Sequence, residues 1–432
     1  MLLKNATLFQ ISPARVASAD VRIVDGIIGK VGRNISAAGV EEVLDLAGKI
    51  LMPGLVCAHT HLYSSLSRGM PGPKRAPRNF VEILKGIWWK LDRALDEEAI
   101  YYSALAGAIE AAKYGTTTII DHHASPNCIG GSLHLIKKAL QEVGLRGVLC
   151  YETTDRGGLG QRDDGLEENE RFIAANRKNQ QFKGLVGAHA SFTLSEGTLA
   201  MLGTIMAKYG TGLHIHAAED RADVRSTRGK FKLGITERLL NHGLLGRRTI
   251  LAHGVHLAPD ELEDVKDVGA WLVHNPRSNM NNRVGYAPLR EFGLRCALGT
   301  DGFPADMFEE AKIGFFRNAE SGQTVGVAGL ARLLHGGHLL ASELFGREFG
   351  AVTRESVADF VVMDYRPPTP LTSLNATGHF LFGMNSSMVE SVMVEGKWVV
   401  RDRRLIGVDE ERTMQEARKV AARLWKRMEK LH

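Results

Sequence analysis

Histidine and carboxylate residues at several points of this chain have the types and spacing that bind a divalent metal ion. In chain order they are His59 with His61, His189, His216 with Glu219, His253 and Asp301. Each ends, or closely follows, an apolar run with strand character. Because a barrel of parallel strands carries its reactive groups at the carboxyl ends of the strands, this ordered set predicts one metal-dependent site.

Three histidines and one aspartate are the predicted ligands. His59 and His61 are two residues apart on a strand, so both imidazoles point to the same side. His216 supplies a third nitrogen; His214, on the same face, is the competing candidate. Asp301 ends the run Cys296–Asp301, where its carboxylate can bind the ion and accept a hydrogen bond from water. Such a set suits Zn²⁺, with Fe²⁺ as the alternative.

Glu219, His253 and Asp301 are the predicted catalytic residues. A carboxylate three residues after His216 lies beside the ion without having to bind it, and it can carry a proton from water to a leaving nitrogen. His253 either binds the ion or stabilises the oxyanion of the transition state. The end of the fourth strand has Gly187, Ala188 and His189 and no lysine to bridge two ions, which favours a single metal.

The elements that must position these residues alternate between strand and helix. The eight predicted strands are Leu55–His61, Thr116–His123, Leu145–Tyr151, Gly184–His189, Gly212–Ala217, Thr249–His253, Ala270–Asn275 and Cys296–Asp301. The clearest helix is Glu97–Tyr114, with Asp96 as its N-cap and Gly115 as its stop. Eight such units predict the α/β class and, within it, a (β/α)₈ TIM barrel.

The two ends of the chain have a different pattern. The first fifty residues contain short strands with an Asp25-Gly26 turn signal. Strand character returns at Ala358–Asp364 and Ser391–Val400, before a helix at Glu410–Leu431. The sequence therefore predicts a small composite β-sandwich from residues 1–53 and 346–432, with the barrel at 54–345.

Composition narrows the class of protein. The chain has 432 residues, of which 44% are hydrophobic and 24% charged, with a net charge of +5. The small net charge and the lack of a long basic run argue against nucleic-acid binding. No apolar run reaches the length of a membrane span. The four cysteines lack CxxC spacing, so we expect reduced thiols and a cytoplasmic location.

Longer motifs resemble those of the amidohydrolase superfamily, in its adenosine deaminase-like and chlorohydrolase-like branch. They are Gly54–His61, His214–Glu219, His274–Asn279 and Gly299–Gly302. The segments Asp121–Pro126 and Ser278–Asn282 further resemble the selenium-metabolism-associated aminohydrolases, the SsnA type. The chain differs from many branch members at Asn275, where a cysteine is common, and at the His122-His123 pair.

The resemblance assigns roles to residues of this chain. It implies that His59, His61, His216 and Asp301 hold one ion, that Glu219 shuttles protons and that His253 orients water. His189, His123 and Asn279 are the predicted substrate contacts. Because members of the branch often form dimers, a homodimer is a further expectation.

The predicted reaction is hydrolytic deamination of a purine- or pyrimidine-like heterocycle by metal-activated water. Two alternatives use the same site: opening of a cyclic amide or amidine ring in purine catabolism, and displacement of halide as in the chlorohydrolases. A non-enzymatic scaffold on the same fold is disfavoured, because the chain keeps all four ligands and Glu219.

Overall fold

The computed structural model describes residues 1–73, 75–322 and 325–431, and its strands form three sheets. The strands are β1 (Leu2–Gln10), β2 (Arg15–Val24), β3 (Ile27–Gly32), β4 (Val43–Asp45), β5 (Ile50–Pro53), β6 (Leu55–Thr60), β7 (Thr116–His123), β8 (Arg146–Tyr151), β9 (Phe182–Gly184), β10 (Val186–Ala190), β11 (Leu213–Ala217), β12 (Ile250–His253), β13 (Trp271–His274), β14 (Cys296–Leu298), β15 (Phe360–Met363), β16 (Val389–Val394), β17 (Lys397–Arg401) and β18 (Arg404–Leu405).

The helices mostly follow the central strands. They are α1 (Phe80–Ile83), α2 (Trp89–Ala94), α3 (Glu97–Lys113), α4 (Ser132–Val143), α5 (Leu159–Asn176), α6 (Glu196–Tyr209), α7 (Arg221–Phe231), α8 (Ile235–Asn241), α9 (Pro259–Val268), α10 (Pro276–Asn281), α11 (Met307–Glu320), α12 (Gly326–Phe345), α13 (Ala376–Gly378) and α14 (Glu410–Glu429). Short 3₁₀ segments lie at Leu62–Ser67, Ser191–Thr193 and Ser386–Met388, and π-helical turns at Leu84–Trp88 and His379–Gly383.

The central strands are parallel and lie in two sheets, β6-β7-β8-β9 and β10-β11-β12-β13-β14. Isolated parallel bridges connect the sheets at both junctions, Thr60 with Asp301 and Thr153 with Ala188. All eight predicted segments contain a strand. The fourth is divided into β9 and β10, because the chain changes partner at Leu185 from β8 to β11.

The ends of the chain meet in one nine-stranded sheet. Its path runs β18-β17-β16-β15-β5-β1-β2-β3, with β4 paired to β1. Strands β5 and β15 join the two ends in antiparallel register, with Pro53 opposite Phe360. The predicted strand segment Ser391–Val400 is a hairpin, because Glu395 and Gly396 adopt positive φ values of 49° and 74° and form its turn.

The predicted helix α3 is confirmed together with its cap. The Asp96 side chain accepts a hydrogen bond from the Ala99 amide at 2.9 Å, and Gly115, at φ 80°, follows the helix end. Among the helices in the described parts of the chain, none is both long and apolar enough to cross a membrane.

Helix α12 packs closely on β14 at Gly336. A Cβ atom there would lie 1.8 Å from the Cys296 carbonyl oxygen, so helix and strand must separate to admit alanine. We expect Gly336→Ala to lower the free energy of unfolding by about 2 kcal/mol or more, measured by thermal and urea denaturation. Gly229→Ala in α7 is the matched control, because nothing lies within 4 Å of its Cβ position. Equal stability of the two variants would contradict the close packing.

Candidate active site

The four predicted ligands converge at the carboxyl ends of the central strands. One ligand atom each of His59, His61, His216 and Asp301 lies within 4.8 Å of the other three. His59 is on β6 and His216 is on β11. His61 directly follows β6, and Asp301 follows β14 after Gly299 and Thr300. The Nε2 atom of His61 is 2.9 Å from Asp301 Oδ1, and that of His59 is 3.5 Å from the same oxygen.

Hydrogen bonds fix the tautomers of two of these imidazoles. Nδ1 of His61 lies 2.5 Å from the His122 carbonyl oxygen, and Nδ1 of His216 lies 2.9 Å from the His189 carbonyl oxygen. Because a carbonyl only accepts, both Nδ1 atoms carry hydrogen, and the two Nε2 atoms face each other across 3.1 Å. A proton or a metal ion must lie between them.

His59 is held by another histidine. Its Nδ1 lies 2.9 Å from His214 Nε2, whereas its own Nε2 is buried without a hydrogen-bond partner among the described residues. His214 therefore supports the ligand His59 from behind, and the geometry favours His216 over His214 as the third nitrogen ligand. An orphaned imidazole nitrogen beside a carboxylate and two facing nitrogens fits a divalent ion.

The protonation states of the predicted ligands also suit metal binding. Burial lowers the pKa of His59 to about 3 and that of His216 well below its usual value, so both rings are neutral. Burial opposes ionisation of Asp301, but the adjacent His59 and His61 outweigh it and hold the Asp301 pKa well below its usual range. Burial would lower the pKa of His61, but Asp301 outweighs burial and raises it to about 9, so a metal ion there would replace a proton on His61. Neutral imidazoles and an ionised carboxylate are the forms that bind metal.

Two overlapping groups of possible ligands share His61 and His216, which favours one ion over two. A second grouping of possible ligands adds His122 and Glu152 to His61 and His216. Because Nδ1 of both His61 and His216 already faces a carbonyl oxygen, each has only Nε2 to give. The second grouping is therefore not independent of the first.

Glu219 lies beside the ligands on the loop after β11. Its carboxylate belongs to a cluster with His253 and Asp301, with Oε2 3.6 Å from His253 Nε2. The Asn282 amide donates to its Oε1 at 3.2 Å. Burial raises the pKa of Glu219 to about 7, with His253 opposing and Asp301 adding to the rise. A carboxyl group with this pKa can take up and release a proton near neutral pH.

His253 is oriented by Asn279. Its Nδ1 lies 2.8 Å from Asn279 Oδ1, so Nδ1 donates the hydrogen and Nε2 faces Glu219 as an acceptor. The backbone is strained here: His253, Asp301 and Ala218 adopt positive φ values of 77°, 53° and 50°. Such conformations cost about 1–3 kcal/mol each and concentrate at functional sites.

A cavity opens from the ligands towards solvent. His61, His216, Glu219 and Asp301 line it, and so does His189. Its walls also carry aromatic rings from several segments that lie between the central strands: Tyr63, Phe80, Trp88, Trp89, Phe192 and Phe303. A flat heterocycle can bind among such rings and reach the metal ligands.

Two predicted substrate contacts lie outside the set of residues that line this cavity. His123 is buried, with Nε2 2.8 Å from Ser125 Oγ, and Asn279 is buried against His253. Three loop arginines also lie outside this set, of which Arg78 is exposed and paired with Glu82. Arg75 and Arg221 are likewise not among the lining residues.

Several site residues were missed by sequence reasoning. The Ser278 hydroxyl donates to Asp301 Oδ2, and Asn282 bonds Glu219. Glu152 directly follows β8, so the strand-end rule that identified His253 could also have found it. Asp92 lies on α2, where nothing in the local sequence indicates that it reaches the cavity.

Comparisons with known proteins agree with this architecture. The Amidohydrolase family model matches residues 50–399. A 5-methylthioadenosine/S-adenosylhomocysteine deaminase of Pyrococcus furiosus is 29% identical, covering 97% of this chain and 100% of that protein. A 5′-deoxyadenosine deaminase of Methanopyrus kandleri is 30% identical, with 89% of each chain covered. A zinc-containing adenosine deaminase structure from Xanthomonas campestris superposes with a TM-score of 0.87 at 21% identity, covering 98% of both chains.

The chain belongs to the amidohydrolase family. The predicted enzyme class, a hydrolase of carbon–nitrogen bonds other than peptide bonds, is confirmed with it.

Proposed function

We propose that this protein is a mononuclear metal-dependent deaminase of a purine-like or related nitrogen heterocycle. The observation that carries the proposal is the placement of the largely buried Glu219 carboxyl group beside four convergent ligand atoms. The deaminase names of two relatives that span most of this chain support the same reaction.

His59, His61, His216 and Asp301 are the proposed ligands, and Zn²⁺ is the proposed ion, with Fe²⁺ as the alternative. When bound, the ion supplies Lewis acidity that makes water nucleophilic near neutral pH. The zinc in the Xanthomonas campestris structure supports this choice of metal.

The chain's own groups move the protons. Asp301 and His253 orient the attacking water, since both lie within the cluster that contains Glu219. Glu219 accepts a proton at its carboxylate and returns it to a ring nitrogen, which makes the adjacent carbon a better electrophile. As the tetrahedral adduct collapses to the carbonyl, Asp301 or Glu219 takes up its hydroxyl proton and passes it to the departing amine, which leaves as ammonia. Ring opening of a cyclic amide would use identical groups but keep the nitrogen in the product.

Substrate contacts are proposed from the lining of the cavity. His189 faces the cavity with Nε2 3.8 Å from Glu152 Oε1, and we assign it to the heterocycle. We assign His123 and Asn279 to positioning neighbouring residues and not to substrate contact, because their side chains hydrogen-bond Ser125 and His253.

An ammonia-release screen of metal-replete protein on purines, pyrimidines and pterins tests the proposal, with mass spectrometry of each product. Ammonia together with exchange of an amino group for oxygen is the expected result. A product that has gained one water without ammonia release would replace deamination by ring opening. Turnover that persists after complete metal removal would contradict the metal-dependent mechanism.

We expect Asn279→Ala to keep the metal and lower kcat about 10–100-fold, because His253 loses the acceptor that orients its ring. Steady-state kinetics with metal analysis measures both quantities. Asn241→Ala, at an exposed position at the end of α8, is the control. An unchanged kcat in Asn279→Ala would show that His253 does not need this partner.

At the level of the fold, we infer that the eight parallel strand segments close into one (β/α)₈ barrel over residues 54–345. The two isolated bridges at the sheet junctions support closure. Residues 1–53 and 346–432 form the companion β-sandwich domain in this proposal, supported by the pairing of β5 with β15. The homodimer, the cytoplasmic location and the SsnA-type subfamily stay predictions.

A further inference from the structure

Acidic residues predominate among the ionisable side chains that line the cavity. Six carboxylic acids face it: Asp92, Glu152, Glu219, Asp220, Asp223 and Asp301. Among the described residues that line it there is no lysine or arginine. A divalent ion at the four ligands would offset part of this charge, but only at the inner end of the cavity.

One guanidinium group beside the cavity, that of Arg156, is already paired with carboxylates. Arg156 Nη2 lies 3.1 Å from Glu152 Oε1 and 3.3 Å from Asp92 Oδ2. The same guanidinium stacks on Trp89, 4.5 Å from the ring centroid. One cation is therefore shared by two acids, which leaves it no net positive charge to offer a substrate anion.

Glu152 keeps its negative charge in this arrangement. Its Oε1 lies 3.1 Å from Arg156 Nη2 and 3.8 Å from His189 Nε2, and its Oε2 lies 3.4 Å from His122 Nδ1. An anionic group placed against this part of the wall would meet a buried like charge, and such contacts cost several kcal/mol.

Asp92 supplies an acceptor that has no donor. The residue is 2% exposed, and Oδ1 is buried without a hydrogen-bond partner among the described residues, while Oδ2 faces Arg156. Leaving such an acceptor unpaired is costly, so a bound molecule that brings a donor gains affinity.

We infer that the substrate carries, beside its heterocycle, an uncharged or cationic substituent that donates a hydrogen bond to Asp92, and that phosphate and carboxylate substituents are rejected. This inference rests on the proposed deaminase function and adds the charge class of the substrate. A hydroxyl group and an ammonium group can both donate this hydrogen bond without bringing a negative charge.

Matched substrates test the inference on the metal-replete wild-type enzyme. Adenine, adenosine and adenosine 5′-monophosphate form one series, and the guanine compounds form a second, each followed by ammonia release. We expect kcat/KM of the nucleoside to exceed that of the monophosphate by at least about a hundredfold. 5′-Amino-5′-deoxyadenosine, compared with adenosine, then distinguishes an ammonium from a hydroxyl donor, and 5′-deoxyadenosine removes the donor at that position.

Three other outcomes of these substrate series would contradict different parts of the inference. Comparable turnover of nucleoside and monophosphate would overturn the charge selection and leave the deaminase proposal intact. Turnover of the free base alone would overturn the substituent site. No ammonia from either series would overturn the purine deaminase proposal and the substrate class that depends on it.

Asp92→Asn gives a second test of the acceptor. We expect kcat/KM for adenosine to fall about tenfold while that for adenine is unchanged, because only the nucleoside reaches Asp92. Asp267→Asn, at an exposed position on α9, is the matched control. Equal losses for adenine and adenosine in a normally folded Asp92→Asn protein, checked by thermal unfolding, would contradict the assignment.

Discussion

Glu219→Gln is expected to retain one metal ion per chain and to lose at least about 10²–10⁴-fold in kcat. The amide has nearly the shape of the carboxyl group but cannot accept and release a proton at the site. Asn282 still provides a hydrogen bond to the side-chain oxygen, so the local packing is preserved. The four ligand atoms lie on other residues, which is why metal content should not follow activity.

Elemental analysis and ammonia-release kinetics on the same preparation separate the two properties. Glu263→Gln, at an exposed position on α9, is the matched control for the loss of one carboxylate. A Glu219→Gln protein with stoichiometric metal and undiminished kcat would refute the proton-shuttle role. Loss of metal in this variant would instead make Glu219 a ligand.

His61→Ala is expected to abolish metal retention and, with it, turnover. His61 Nε2 faces both His216 Nε2, at 3.1 Å, and Asp301 Oδ1, at 2.9 Å, so it lies at the centre of the ligand set. Loss of an outer hydrogen-bond partner already costs about 10–100-fold in metal affinity, and loss of a ligand should cost more.

Metal content after dialysis against a weak chelator measures this effect, with kcat recorded before and after addition of Zn²⁺. His256→Ala is the control, because this histidine is half-buried and bonds the Val284 carbonyl away from the ligand atoms. Full metal occupancy in His61→Ala would remove His61 from the ligand set and leave the facing nitrogens without an explanation.

Much of the fold could be predicted because its signals are local. Each central strand is a short apolar run, and helix α3 is preceded by a capping aspartate, so periodicity and end signals found them. The break between β9 and β10 could not be found in this way. It arises because β9 pairs with β8 while β10 pairs with β11, which is a property of neighbours distant in sequence.

The candidate site, like the fold, has some features that local sequence signals predict and others that depend on tertiary contacts. The sequence by itself determined which candidate site residues stand at strand ends and in what order, since His59, His61, His216, His253 and Asp301 all end or closely follow apolar runs. Parallel strands bring such ends to one edge, which makes the strand end a local signal for a shared site.

Only the tertiary structure decided what each side chain contacts. It placed His214 behind His59, turned Asn279 towards His253, and brought Asp92 from α2 to Arg156 after β8. These contacts join residues far apart in the chain, and their geometry depends on side-chain packing that no local pattern encodes. The metal chemistry was therefore readable from the sequence, while the charge of the substrate cavity needed the folded molecule.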